Sequence, residues 1–382
     1  MPAATPPSIR ARRNLFGRPI DRTVLGRAGE FEGESLDAQL LEGVSRTFAF
    51  TIPQLPDGLR ETVTNAYLLC RIADTIEDDP DLDAGEKDRF HAAFLDAAET
   101  GRGAEDFAQA LWPCLSPSTI DAEIDLVRSS PRVLRTTDNL RPRQRDAILR
   151  CLTTMSRGMG SFERSRSRSG LDDLTEYECY CYFVAGVVGE MLTDLFCDHS
   201  PRIDSRRQQL EARAVSFGLG LQMTNILKDI WDDYENGVCW LPREIFADHG
   251  YNLGELQPHH NGNGIAFSAS MQTLVGVTHA HLRLALEYTL LIPRSETGIR
   301  RFLIWAALLA ASTLRKIAAN PLFTSGVEVK VSRRQVAAIA ASSGAVIRSN
   351  FGLSALFRTA ARGLPLHDRN GPHPSMDRDH RE

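Results

Sequence analysis

The sequence predicts an all-α fold. Apolar residues recur at helical spacing over long segments, alternating β-branched runs are almost absent, and no Asn-Gly hairpin joins candidate strands. Residues 1–35 are rich in Arg, Pro and Gly and read as a poorly ordered extension. Helical periodicity then predicts helices near 36–50, 58–79, 84–100, 119–135, 142–161, 172–198, 206–236, 265–292, 297–319 and 332–361. Pro80 closes the second of these because proline cannot continue a helix. Asn236-Gly237 follows an acidic helix and reads as a helix stop. The segment 251–264, with His259, His260 and two Asn-Gly steps, reads as a surface loop. Residues 362–382 are polar with mixed charge and read as a disordered tail. The expectation is one all-α domain over 36–361, with many helices around a central cavity.

Bulk properties narrow the function class. The chain has 382 residues, 42% of them apolar and 24% charged, the balance of an ordinary globular protein. A net charge of −5 gives no general attraction to nucleic acid. Seven scattered Cys form no framework, which suggests reduced thiols in a cytoplasmic setting. Cys179 and Cys181 lack a second pair at zinc spacing and read as packing residues. The most apolar run, Phe302 to Leu314, is shorter than the ~20 residues a bilayer needs and reads as a core helix, so no transmembrane segment is expected.

Two acidic patches carry the chemistry. Residues 74–79 read Asp-Thr-Ile-Glu-Asp-Asp, and residues 225–233 read Asn-Ile-Leu-Lys-Asp-Ile-Trp-Asp-Asp. In each, two Asp residues stand four apart, Asp74 with Asp78 and Asp229 with Asp233, which places both on one helix face. Acidic clusters are usually solvated faces, but both patches continue apolar helical stripes, where unpaired charge is costly. Two such faces turned toward each other would form a carboxylate cage. Hard oxygen ligands with room for phosphate oxygens suit Mg²⁺, with Mn²⁺ as an alternative. Arg71 stands within one turn of the first patch and Lys228 inside the second, so each pairs metal ligands with a phosphate-binding cation. No strand–G-x-G-x-x-G–helix pattern marks a Rossmann domain, and Gly218-Leu219-Gly220 reads as close helix packing.

Several blocks resemble the squalene/phytoene synthase family. They are Ser45-Arg46-Thr47-Phe48, Tyr67 through Asp79, Tyr180 through Gly189, Phe217 through Asp229, and Lys330-Val331-Ser332-Arg333-Arg334-Gln335. The resemblance spans about residues 40–350, and the Asp-Thr-Ile-Glu-Asp-Asp form with the basic block resembles the squalene synthases within the family. It implies a helical isoprenoid-synthase bundle and a prenyltransferase of sterol or hopanoid biosynthesis that joins two farnesyl diphosphates head to head. Presqualene diphosphate would be the intermediate, and NADPH would deliver hydride to give squalene. Relatives that stop at presqualene diphosphate or make dehydrosqualene or phytoene are the alternatives, beside a non-catalytic protein that binds isoprenoid diphosphates.

The resemblance also implies roles for residues. Asp74, Asp78, Asp229 and Asp233 would hold Mg²⁺, with Glu77 and Asn225 as further ligands or supports. Tyr180 matches the family's catalytic tyrosine. Arg46, Arg71 and Lys228 would meet diphosphate or NADPH phosphates, and both assignments stay open. Lys330, Ser332 and Arg333 would belong to the NADPH site. Phe48, Tyr67, Gln222, Phe302 and Leu303 would line a dry substrate cavity, with Arg71 at its diphosphate end. An apolar product suggests work at or near a membrane surface. The oligomeric state is not legible.

Overall fold

The computed structural model describes residues 36–45, 47–164, 167–257 and 262–367, and their regular structure is helical. Among them the β-type pairing is an isolated bridge between Leu171 and Pro242. The readings of residues 1–35, of Arg46, of His259 and His260, and of 368–382 lie outside the described residues. The chain divides after Arg164 into two compact units.

The first unit contains α1 (Leu36–Val44), α2 (Thr47–Thr51), α3 (Leu59–Asp78), α4 (Ala84–Thr100), α5 (Ala104–Leu111), α6 (Asp121–Arg128), α7 (Ser130–Asp138) and α8 (Pro142–Arg164). Its central element is α3, which packs against α1, α4, α6, α7 and α8. Every residue from Thr62 to Glu77 is buried. Leu68, Leu69, Ile72 and Ile76 supply most of the hydrophobic drive, about 2 kcal/mol each. A helix covered on all sides must find partners for its polar groups. Asn65 donates to the Val133 carbonyl at 2.7 Å and accepts from the Thr137 hydroxyl at 2.9 Å. The helix stops at Asp79, whose backbone turns extended ahead of Pro80. The Asp79 carboxylate accepts from Ser116 N and Thr119 Oγ1, which fixes the exit from the first acidic patch.

The second unit contains α9 (Leu174–Cys181), a π turn (Tyr182–Gly186), α10 (Val187–His199), α11 (Pro201–Asp204), α12 (Arg207–Glu235), α13 (Arg243–Asp248), α14 (Gly264–Leu291), α15 (Thr297–Ala319), α16 (Arg333–Val346) and α17 (Asn350–Ala360). Here α12 is central and packs on α9, α10, α14, α15 and the π turn. Glycine makes two of these approaches possible. A Cβ at Gly189 would stand 2.1 Å from the Ala214 carbonyl oxygen, and one at Gly218 would stand 2.1 Å from that of Ala185. The Gly218 to Gly220 segment is therefore a helix-packing device. Fully buried Arg300 ties α15 to the segment between α16 and α17. Its Nε donates to the Ile347 carbonyl and its Nη2 to Asn350 Oδ1.

Several expected helices differ in detail. The segment 119–135 is split at Ser129, because Pro131 starts a new helix rather than continuing the old one. The segment 332–361 is split at 347–349, where Ser349 caps α17 by accepting from Gly352 N. The helices α5 and α13 are short and were not expected. The apolar run Phe302–Leu314 lies inside the helix expected over 297–319. The helix around it, Thr297–Ala319, has 23 residues because polar ends extend the apolar run. It and the stretch Leu174–His199 are long and apolar enough to cross a membrane by length and composition. Of their most apolar windows, 67% and 44% respectively are buried inside the protein.

Candidate active site

The first acidic patch ends α3. Asp74 is 5% exposed, and burial pushes its carboxyl up to about 8; Arg71 opposes the rise, while Asp78, Glu123 and Glu77 reinforce it. Asp78 is half-buried on the last turn. Arg71 is 2% exposed; its Nη2 is ion-paired with Glu123, and its Nη1 lies 4.0 Å from Asp74 Oδ2. Burial alone would lower the Arg71 pKa, but the carboxylates around it hold it above its ordinary value. Its Nε and Nη1 are buried without a hydrogen-bond partner among the described residues. A buried guanidinium with two unused donors beside a carboxylate that resists ionising is poised for an anion and a cation together.

The other predicted residues of this unit are placed as follows. Glu77 is buried, with Oε2 3.4 Å from His91 Nε2 on α4. The Phe48 ring lies 5.2 Å from that of Tyr67, and its backbone N donates to Ser45 Oγ. Tyr67 donates to the Val44 carbonyl at 3.5 Å, and burial raises its pKa well above the ordinary phenol value.

The second patch lies near the end of α12. Asp229 is 5% exposed, and Lys228 Nζ stands 3.0 Å from its Oδ2 and 3.2 Å from Asn225 Oδ1. Asp233 is half-buried one turn on, and its carbonyl accepts from Val238 N. Gln222 is buried, and its Oε1 lacks a hydrogen-bond partner among the described residues. Phe302 and Leu303 are core residues of α15, with Phe302 edge-on to Phe196. Ser332 is the N-cap of α16, where its hydroxyl and the Gln335 side chain form a capping box. Arg333 and Lys330 are exposed, and the Lys330 carbonyl accepts from Lys316 Nζ.

The donor set can be tested against a divalent metal. Among the described residues, no group of three or more His, Cys, Asp or Glu side chains is close enough to hold an ion by itself. Each acidic face offers two carboxylates one turn apart. That fits Mg²⁺ arriving with a diphosphate, since such ions take one or two protein carboxylates and complete their shell with phosphate oxygens and water.

A match to the family model described as squalene/phytoene synthase runs over residues 41–335. The chain belongs to the squalene/phytoene synthase family. It is 28% identical to squalene synthase ERG9 of Candida albicans over 86% of this chain and 71% of that one. It is 28% identical to a Schizosaccharomyces pombe squalene synthase over 76% of this chain and 61% of that one, so it spans less than two thirds of that relative. Among solved structures it resembles TcSQS in complex with the ligand BPH1237, with a TM-score of 0.66, 22% identity, and coverage of 86% of this chain and 97% of that one. A dehydrosqualene synthase resembles it with a TM-score of 0.54, 21% identity, and coverage of 82% and 96%. These likenesses carry the fold.

For this family member the structure adds groups that sequence reasoning missed. Glu123 and His91 meet the first patch from α6 and α4, about 50 and 15 positions away in the chain, a distance no local pattern encodes. Trp240 stacks on Tyr180, with ring centroids 4.0 Å apart and planes 9° from parallel. The strap carrying Trp240 is pinned on both sides. Cys239 N donates to the Ser167 carbonyl, Leu171 N to that of Leu241, and Arg243 N to that of Leu171. Tyr180 itself lies two residues before the π turn, a local underwinding that recurs at functional sites.

Proposed function

We propose that this protein is a squalene synthase that condenses two farnesyl diphosphates head to head through presqualene diphosphate. The observation that carries this reading is the pairing, on each acidic helix, of a buried Asp with a basic side chain: Asp74 with Arg71, and Asp229 with Lys228.

Asp74 and Asp78 on α3, and Asp229 and Asp233 on α12, would hold Mg²⁺, with Glu77 and Asn225 supporting them. When bound, Mg²⁺ neutralises diphosphate charge and makes it a better leaving group. Arg71 binds diphosphate oxygens through its unused Nε and Nη1 donors, held in orientation by Glu123. Lys228 adds a mobile point charge at the second patch. Phe48, Tyr67, Phe302 and Leu303 keep water from the prenyl chain, since a carbocation is quenched by stray nucleophiles. Tyr180, braced by Trp240, takes a proton or steers the departing diphosphate. Gln222 supports the bound substrate, its unused Oε1 accepting from water that hydrates the diphosphate and its metal.

The basic block fits a phosphate-bearing cofactor by charge and exposure. Lys330 and Arg333 would pair with the phosphates of NADPH, which supplies the hydride, while the Ser332 hydroxyl is already engaged in its cap. Product release of a hydrocarbon favours work beside a membrane surface.

Incubation with farnesyl diphosphate and Mg²⁺, with and without NADPH, tests the reading by product analysis. Squalene formed only with NADPH is the expected result. Persistent presqualene diphosphate despite NADPH, or preference for geranylgeranyl diphosphate, would replace it with another activity of the family.

A further inference from the structure

Residues 329–367 contain Lys330, Arg333, Arg334, Arg348, Arg358 and Arg362 and no Asp or Glu, in a chain whose net charge is −5. At α17 this charge is ordered. Phe351 and Arg358, seven residues apart, share one face of α17, while Arg348 stands in the turn before the helix and Arg362 in the turn after it. All four are exposed, and Phe351 is 78% exposed. The opposite arc, with Leu353 and Phe357, is buried where α17 packs on α14, α15 and α16. The four exposed residues are therefore not needed to hold the helix in place. Leu366, 40% exposed, adds apolar surface at the C-terminal end of the same basic segment.

We propose that exposed Arg348, Phe351, Arg358 and Arg362, on α17 and the turns at its two ends, dock this protein on an anionic membrane surface. The charge side is Coulombic: basic side chains near such a surface bind it additively, each strengthening partition about fivefold. The apolar side is the exposed ring of Phe351, which inserts at headgroup level between the flanking arginines. A lipid surface is favoured over nucleic acid because the apolar groups are spread along the basic segment, and because the rest of the chain is acidic enough to repel a polyanion that wraps it. The inference deepens the proposed working position beside a membrane and is independent of which hydrocarbon the enzyme makes.

Co-sedimentation of the full chain with two vesicle types tests it. One is phosphatidylcholine alone, and the other is phosphatidylcholine with phosphatidylglycerol. The expected result is binding to the anionic vesicles, mostly reversed by high salt with a small salt-resistant remainder, and little binding to the neutral ones. The triple variant Arg348→Gln/Arg358→Gln/Arg362→Gln should weaken partition roughly 100-fold. It should keep wild-type helicity by circular dichroism and wild-type turnover in detergent. Phe351→Ala should lose only the salt-resistant remainder. Equal binding to both vesicle types, no binding to anionic vesicles, wild-type binding by the triple variant, or tighter binding to duplex DNA than to anionic vesicles would each overturn the proposal. Product analysis stays a separate readout, so a failed docking assay leaves the proposed chemistry intact and the reverse also holds.

Discussion

The two acidic patches share a sequence pattern but not an environment. At the end of α3, Arg71 is as buried as the Asp74 it serves, and Glu123 from another helix holds one end of its guanidinium. On α12, Lys228 keeps a side-chain exposure of 22% and touches Asp229 and Asn225 on its own helix. The first patch is thus preorganised, with charge already desolvated before any ligand arrives. The second is adaptable, with a hydrated ammonium on a flexible stem. Equal spacing of Asp residues does not imply equal electrostatics, because burial and long-range partners set the cost of each charge.

The largest expected effect tests what the patches have in common. Asp78→Ala and Asp229→Ala should each lower kcat about a thousandfold or more, with the helical circular dichroism unchanged, if both patches serve diphosphate departure. Turnover near wild type in either variant would remove that patch from the metal site.

Stability should separate them. Arg71→Ala leaves Glu123 and Asp74 buried without their cation and should lower the unfolding free energy by about 3 kcal/mol. Lys228→Ala, at a partly exposed site, should cost less than about 1 kcal/mol. Chemical denaturation of both variants measures the difference, and equal losses would mean that the two patches are equally preorganised.

Asp74 gives the comparison a pH dependence. Its folded carboxyl is raised to about 8, above the ordinary Asp value, so the stability it contributes is fully present near pH 4 and lost as pH rises to about 8. Relative to wild type, metal-free Asp74→Asn should therefore gain several kcal/mol of stability across that window. Melting temperatures in chelator from pH 4 to 8 give the curve. Mg²⁺ with inorganic pyrophosphate should restabilise the wild type but not the variant.

The smallest effect concerns Tyr180. Trp240→Ala should lower kcat about tenfold through misplacement of the phenol, and Trp240→Phe should restore most of it. Added to Tyr180→Phe, Trp240→Ala should cost little more, because the two act as one unit. Fully additive losses would assign Trp240 a role separate from the tyrosine.

The sequence by itself determined the all-α class, the position of most helices and the two acidic faces. These are local properties: a 3.6-residue period, a proline stop at Pro80, a four-residue step between Asp residues. The family followed from several such blocks in order. The finer boundary at Ser129 depends on Pro131, which a first helical turn tolerates, and that at 347–349 on the Ser349 cap, whose side chain also suits ordinary turns, so the period ran through them. Tertiary structure alone decided which charges are buried and what faces them. Glu123 against Arg71, His91 against Glu77 and Trp240 against Tyr180 join residues from different elements, and no local pattern specifies which helix will pack there. It also decided that the apolar helix Thr297–Ala319 lies largely inside the protein. The physical reason is that periodicity is written along the chain, whereas desolvation and Coulombic partners arise only when the chain has folded.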